Sequence, residues 1–249
     1  INCRTSIHNS WQYLERNCLK INILGITLAR GGSKGIKDKN LVKIKGKPLI
    51  YYTIKEAKKT KEITNYIVST DSSKIKKVAQ KYKVKVPFLR PKKFSQDSSS
   101  SASALKHALI ECEKIFNKKF DYVVELMATN PLKKASDIKN IIKILLKNKS
   151  DSVIAVNQLF DHHPARIKKI VKGKLYDFAI KEKLESRRQD LKPNAYVRSG
   201  SIYAMSRRYV MSEKRYFSGK SLAYILPLER TINIDDKNDL IIAKYKLKN

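Results

Sequence analysis

Leu28–Asn40 reads Leu-Ala-Arg-Gly-Gly-Ser-Lys-Gly-Ile-Lys-Asp-Lys-Asn and follows directly on the apolar run Ile21–Ile26. A hydrophobic strand ending in a glycine-rich turn opens an α/β unit, in which ligands bind beyond the carboxyl ends of the strands. Glycines let backbone N–H groups come close to an anion, and Arg30, Ser33, Lys34, Lys39 and Asn40 set charge and donors around them. The turn therefore reads as a polyphosphate cradle. It is not a P-loop, because the spacing G-x-x-x-x-G-K-[ST] is absent. Nor do Gly31, Gly32 and Gly35 fit G-x-G-x-x-G. Three glycines alone would merely punctuate a strand; the interleaved basic and polar groups point to phosphate.

Outward from this turn, strand-like and helix-like patterns alternate. Strands are predicted at Ile21–Ala29, Tyr66–Thr70, Val84–Leu89, Asp121–Met127 and Asp151–Val156. Helices are predicted at Pro48–Lys59, Ser72–Tyr82, Ser98–Phe116 and Ser136–Lys147. Apolar residues at helical spacing, such as Ala104, Leu105, Ala108 and Leu109, carry the helical reading. Continuous apolar strands between helices predict an α/β fold with a mostly parallel sheet covered on both faces. From about residue 157 to 198 the alternation lapses. There Arg166–Val171 and Lys174–Phe178 flank Gly173 as a hairpin, within an excursion from the sheet, a dimer arm or a lid. Strands at Gly200–Met205 and Ser221–Leu226, then Ile232–Ile234 and a helix Lys237–Lys246, complete the chain. Residues 1–20 are set apart as an extension with no assigned function, and 21–249 as one domain.

Composition narrows the partners. At 249 residues and 42% hydrophobic, a substantial core is available. No apolar stretch approaches the ~20 residues of a membrane span. Cys3, Cys18 and Cys112 form no C-x-x-C pair and no zinc-spaced cluster, which favours a reducing, cytoplasmic setting. The formal net charge is +32. A nucleic-acid binder concentrates its basic residues on one face with aromatics beside them. Here lysines run through the whole length, so the better reading is a cationic surface that steers small anions to a pocket. Neither a membrane nor a nucleic acid is expected as partner.

Polar residues at four predicted strand ends converge on one rim: Arg30–Lys34, Ser69–Asp71, Arg90 with Pro91, and Ala128–Pro131. Each alone could be a helix cap, and Asp71 reads as one because it directly precedes a helix. The adjacent His162 and His163 point apart and read as structural or substrate-lining rather than as metal ligands.

The ordered set Ala29–Gly35, Gly46–Ile50, Val68–Asp71, Leu89–Pro91, Thr129–Leu132, His162–Pro164, Arg188 with Gln189, and Ile232–Asp235 resembles the acylneuraminate cytidylyltransferases, also called CMP-sialic acid synthetases. The resemblance runs from about Ile23 to the C-terminus. It implies a Rossmann-like nucleotidyltransferase, working with Mg²⁺, that joins CTP to a nine-carbon 2-keto acid sugar and releases pyrophosphate. It also implies a homodimer in which the excursion reaches the partner's site.

Carried over by position, Arg30, Ser33, Lys34 and Lys39 meet the CTP phosphates. Asn40 and Arg90 meet the nucleotide, and Ser101 meets the cytosine or its ribose. Arg166, Arg188 and Gln189 fall where the family meets the sugar acid, whose carboxylate suits arginine's planar fork. Arg30, Lys34 and Asp235 carry the chemistry. Asp235 is the implied Mg²⁺ ligand, with Asn233 beside it where the family has a second aspartate; Asp236 or Asp239 are possible helpers. The plain alternative is that Asn233 and Asp235 cap the last helix. Met127, Lys133 and Ser199 also stand where the family has glutamine, arginine and asparagine, which bears on the sugar more than on the chemistry.

Overall fold

The computed structural model describes residues 21–33, 35–182, 187–213, 218 and 220–247. The extension 1–20, with Cys3 and Cys18, lies outside the described residues, as does Lys34. In chain order the elements are β1 (Ile23–Leu28), β2 (Lys43–Ile44), β3 (Lys47–Pro48), α1 (Leu49–Lys59), β4 (Asn65–Ser69), α2 (Ser73–Lys81), α3 (Ser101–Ile115), β5 (Tyr122–Leu126) and α4 (Ala135–Asn148). Then come β6 (Ser152–Leu159), β7 (Lys168–Val171), β8 (Lys174–Asp177), β9 (Ala195–Ser206), α5 (Arg207–Met211), β10 (Ser221–Ile225) and α6 (Lys237–Lys246).

The main sheet runs in the order β10-β6-β9-β5-β1-β4. β1 pairs in parallel with β4 and β5, and β10 in parallel with β6. β9 lies antiparallel to both β5 and β6 and joins the two parallel halves. Successive strand residues face opposite sides. Leu24, Ile26, Val123 and Ile154 therefore pack with Leu105, Ala108, Leu109 and Cys112 of α3. On the other face, Val124, Leu126, Val153 and Ala155 meet α4. The buried stripe of α4 is Ile138, Ile141, Ile142 and Leu145, the i, i+3, i+4, i+7 pattern of a core-facing helix. Truncating Ile141 to alanine in that stripe would cost ~2–5 kcal/mol. No helix among the described residues is long and apolar enough to cross a membrane.

The structure corrects the third predicted strand. Val84–Leu89 forms only isolated parallel bridges, Ile67 with Lys85 and Thr70 with Leu89. Pro87 in its middle has no N–H to donate, which interrupts the ladder. The predicted excursion also changes extent. β6 and β9 stay paired out to Leu159 opposite Ala195, so the chain leaves the sheet only between those residues. The hairpin expected around Gly173 is present as β7 and β8. Lys172 and Gly173 both have positive φ, the backbone of a tight type I′ connection.

Candidate active site

The turn after β1 is pinned at Gly31, whose N–H donates to Asp71 Oδ1 at 2.9 Å. Asp71 is thus a loop anchor rather than the expected helix cap; Ser72 caps α2 by accepting from Ile75 N. The buried Asn40 donates from Nδ2 to the Arg30 carbonyl at 3.1 Å and fixes the exit of the strand. The Arg30 guanidinium lies 2.5 Å from Asp97 Oδ1.

Lys39 reaches across to the far end of the chain. Its ammonium donates to Ile234 O at 2.8 Å and to Asp235 Oδ1 at 2.9 Å. Asn233 Nδ2 donates to the other carboxylate oxygen at 2.5 Å. Gly35 sits flat against this segment, where any Cβ would collide with the Asp235 carbonyl oxygen. Gly200, at φ +60, lies against the Asn233 amide, where a Cβ would come within 3.3 Å of its side-chain oxygen.

Arg90 is 5% exposed and donates from Nε to Ser95 Oγ at 3.0 Å. Burial pulls its pKa below the ordinary arginine value, and Arg30 adds to that; Asp71 and Glu125 oppose it. Ser101 opens α3, whose cap is Ser100.

Most of these groups border one cleft of about 580 Å³, within the range of ligand sites, while Gly31 and Asp71 brace it from outside its lining. Arg30, Ser33, Lys39, Asn40, Arg90 and Ser101 line it together with Asn233 and Asp235. Arg30 and Asp235, at opposite ends of the sequence, face the same space. The catalytic assignment of Lys34 falls outside the described residues.

Asp236, not Asn233 or Asp235, caps α6. Asp236 and Asp239 form a reciprocal capping box, and Asp239 Oδ2 also accepts from Asp235 N. Both helpers considered for a metal are thereby engaged in ending the loop. Among the described residues no cluster of three or more His, Cys, Asp or Glu side chains forms a metal cage. One carboxylate and one amide in a cleft lined by cationic side chains fit a hard cation such as Mg²⁺ only if most of its ligands come from elsewhere, as from phosphate oxygens and water.

Arg166, Arg188 and Gln189 do not join this cleft. Arg188 and Gln189 line a second one of about 560 Å³ in the excursion, with Gln158, His163, Lys192 and Asn194. The Arg188 guanidinium stacks 4.2 Å from the Phe160 ring centre. Arg166 lies apart from both, 4.0 Å from Asp161 and 3.9 Å from Glu182. His163 is buried and structural: Nδ1 accepts from Ala165 N, so Nε2 carries the proton donated to Pro193 O.

Two cleft residues, Asp97 and Glu125, escaped the sequence reading. Asp97 gave no signal in a polar loop. Thr129, expected on the rim of polar strand ends, lines the cleft, and its carbonyl receives Ile234 N–H at 2.9 Å and seats the Asp235 segment. Glu125 is fully buried at the cleft end of β5. A carboxylate inside the apolar run Tyr122–Leu126 was the available clue, since charges seldom enter a central strand without a role.

The profile of the family described as cytidylyltransferase matches residues 24–226. A pseudaminic acid cytidylyltransferase of Campylobacter jejuni is 33% identical over 225 residues, covering 90% of this chain and 96% of that protein. An N-acylneuraminate cytidylyltransferase of Streptococcus agalactiae is 31% identical over 216 residues, covering 86% of this chain and 50% of that longer protein. Among solved structures, a CMP:2-keto-3-deoxy-manno-octonic acid synthetase complexed with CTP superposes with a TM-score of 0.67. It covers 91% of this chain and 98% of its own, and at 15% identity the likeness is one of fold.

Proposed function

This chain belongs to the cytidylyltransferase family, and from that premise we propose that it transfers CMP from CTP to the anomeric hydroxyl of a sialic-acid-like, nine-carbon 2-keto acid sugar. The observation that carries the reading is the shared cleft, where the cationic loop behind β1, Arg90 and Ser101 meet Asn233 and Asp235.

In the proposed reaction the sugar hydroxyl attacks the α-phosphorus of CTP in line with the departing group. A new P–O bond forms, the bond to the β-phosphate breaks, pyrophosphate leaves, and the hydroxyl proton passes to solvent. Arg30 and Lys39 bind the phosphates and oppose the charge that builds on them, each charge-assisted hydrogen bond contributing ~1.5–3 kcal/mol. Buried Arg90 and the serines around Ser101 orient the nucleoside. Positioning and fixed charge of this kind account for most catalysis of phosphorus transfer. Mg²⁺, held by Asp235 with Asn233 beside it, would supply further neutralisation of the polyphosphate.

The sugar acid is assigned to the second cleft, where Arg188 and Gln189 offer a planar cation and an amide to a carboxylate and hydroxyls. The two clefts share no lining residue, which supports a homodimer in which this cleft serves the partner's site. The hairpin beside it exposes Ile170, Leu175 and Phe178, apolar surface suited to such a contact.

The test is pyrophosphate release by purified protein with CTP and Mg²⁺ against pseudaminic, legionaminic, N-acetylneuraminic and 3-deoxy-octulosonic acids. Turnover of a nine-carbon acid, with CTP preferred over UTP, GTP and ATP, is expected. Turnover of 3-deoxy-octulosonate alone would move the substrate to an eight-carbon acid. No turnover by folded protein would overturn the proposal.

A further inference from the structure

Lys133 is 1% exposed, and its ammonium is enclosed between α1, the end of β5 and the start of α4. It donates to Thr53 Oγ1 at 2.8 Å, to Met127 O at 2.7 Å and to Asn130 O. Three donors thus meet three acceptors. The same turn is closed from its other side, because Asn130 Oδ1 accepts from Leu132 N and Lys133 N at 3.1 and 3.2 Å. Burial pushes the Lys133 pKa down to about 7, while Glu56 of α1 and Asp137 of α4 act to raise it. Enclosing a cation is costly unless the surroundings use it.

The gathered turn is the wall of the nucleotide cleft: Met127, Ala128 and Thr129 all line it. From that wall the Thr129 carbonyl holds Ile234 N–H at 2.9 Å, between Asn233 and Asp235. We propose that Lys133 is a positioning residue of the nucleotide site, drawing the Met127 and Asn130 carbonyls onto one ammonium and so fixing the turn through which Thr129 seats the Asn233–Asp235 segment. The proposal rests on the cytidylyltransferase reading of that cleft. A lysine that only fills space predicts instead that an apolar chain of similar length leaves the cleft unchanged.

The experiment compares wild type, Lys133→Met and Lys133→Arg at pH 6.5, where Lys133 is largely charged. It reads amide hydrogen exchange of the free protein and CTP affinity by calorimetry. In Lys133→Met, exchange at Ile234 is expected to quicken about tenfold and CTP binding to weaken about tenfold, the loss of one charged hydrogen bond. Amides of β1 should hold. Lys133→Arg, which restores a cation and donors, should recover most of both effects. Unchanged exchange at Ile234 in folded Lys133→Met, or Lys133→Arg as loose as Lys133→Met, overturns the proposal. Should Lys133→Met not fold, Thr53→Val removes one of the three acceptors and decides: faster exchange at Ile234 supports the role, unchanged exchange overturns it. If wild type binds no CTP, the exchange result still decides the positioning role, and the failure belongs to the nucleotide reading.

Discussion

Lys39 Nζ and Asp235 Oδ1 meet at 2.9 Å across 196 positions of the chain. The contact ties the phosphate-directed loop behind β1 to the last loop before α6. Side-chain exposures of 15% and 66% make it a partly open ion pair, worth ~0–1 kcal/mol to stability. In the proposed function its importance is geometric, because it sets where a carboxylate stands in the cleft assigned to the nucleotide. Lys39→Met is therefore expected to lower kcat/KM about a hundredfold, roughly 2.7 kcal/mol of transition-state binding, with little change in Tm. Lys39→Met/Asp235→Asn should be hardly worse than Asp235→Asn alone, since the two act as a unit. Additive losses in steady-state pyrophosphate release would separate their roles.

Asn233→Asp tests the amide beside Asp235. Asn233 Nδ2 now donates to Asp235 Oδ2 at 2.5 Å. A carboxylate there would replace that donor with a like charge, which disfavours ionisation of the pair until a cation enters. The variant should melt a few degrees below wild type in EDTA and regain that loss with Mg²⁺. The Mg²⁺ concentration for half-maximal CTP binding should fall. Equal melting in EDTA and in Mg²⁺ would show that no cation enters beside residue 233.

Gly35→Ala addresses the close packing of the β1 loop on the Asp235 segment. Its new methyl would strike the Asp235 carbonyl oxygen, which is backbone and cannot swing aside. The loop must retreat from Asp235, so activity should fall by about a hundredfold or more, as expected when catalytic groups are misplaced by an ångström. Because the clash is with backbone, thermal stability should fall as well. Wild-type kinetics in this variant would show that the loop and the Asp235 segment separate during turnover.

The order of strands and helices was readable because it rests on local periodicity. The final helix carries the predicted bounds, Lys237–Lys246. What sequence left hidden depends on contacts made at a distance. β9 is apolar like its parallel neighbours, and nothing local states that it runs antiparallel between β5 and β6. Pro87 was a visible warning against a strand at Val84–Leu89. In the cleft, Arg30 and Asp235 could be named because each lies in a short distinctive motif. Lys133 stood out only as a departure from the family's arginine; its burial could not be read, since it follows from the packing of Thr53 and Met127 around it.

Asp97→Asn tests what holds Arg30 before a nucleotide arrives. The two side chains are 2.5 Å apart, with exposures of 35% and 50%. In the proposed reaction a phosphate competes with that carboxylate for the guanidinium. Removing the charge should tighten CTP binding two- to fivefold, about 0.4–1 kcal/mol for an exposed pair. The gain should shrink with added salt. Weaker CTP binding in Asp97→Asn would mean instead that the aspartate holds Arg30 in its productive pose.

The pH dependence of stability carries its own signature of Lys133. Burial lowers its folded pKa to about 7, against ~10.4 for a lysine in the unfolded chain. Between these values the unfolded chain holds a proton that the folded one has released, so stability rises with pH across that window. The burial penalty is complete below about pH 7 and eases as pH climbs toward the unfolded value. Glu56 and Asp137 oppose the shift, and Asp137 is itself paired with Arg230 at 2.8 Å. Lys133→Met lacks this titration but keeps the other ionisable groups, so subtracting its urea-unfolding free energy from that of wild type isolates the effect. The difference should move in favour of wild type from pH 6.5 to 9.5. A flat difference would mean that Thr53, Met127 and Asn130 hold the ammonium charged throughout, which places its folded pKa near that of an ordinary lysine.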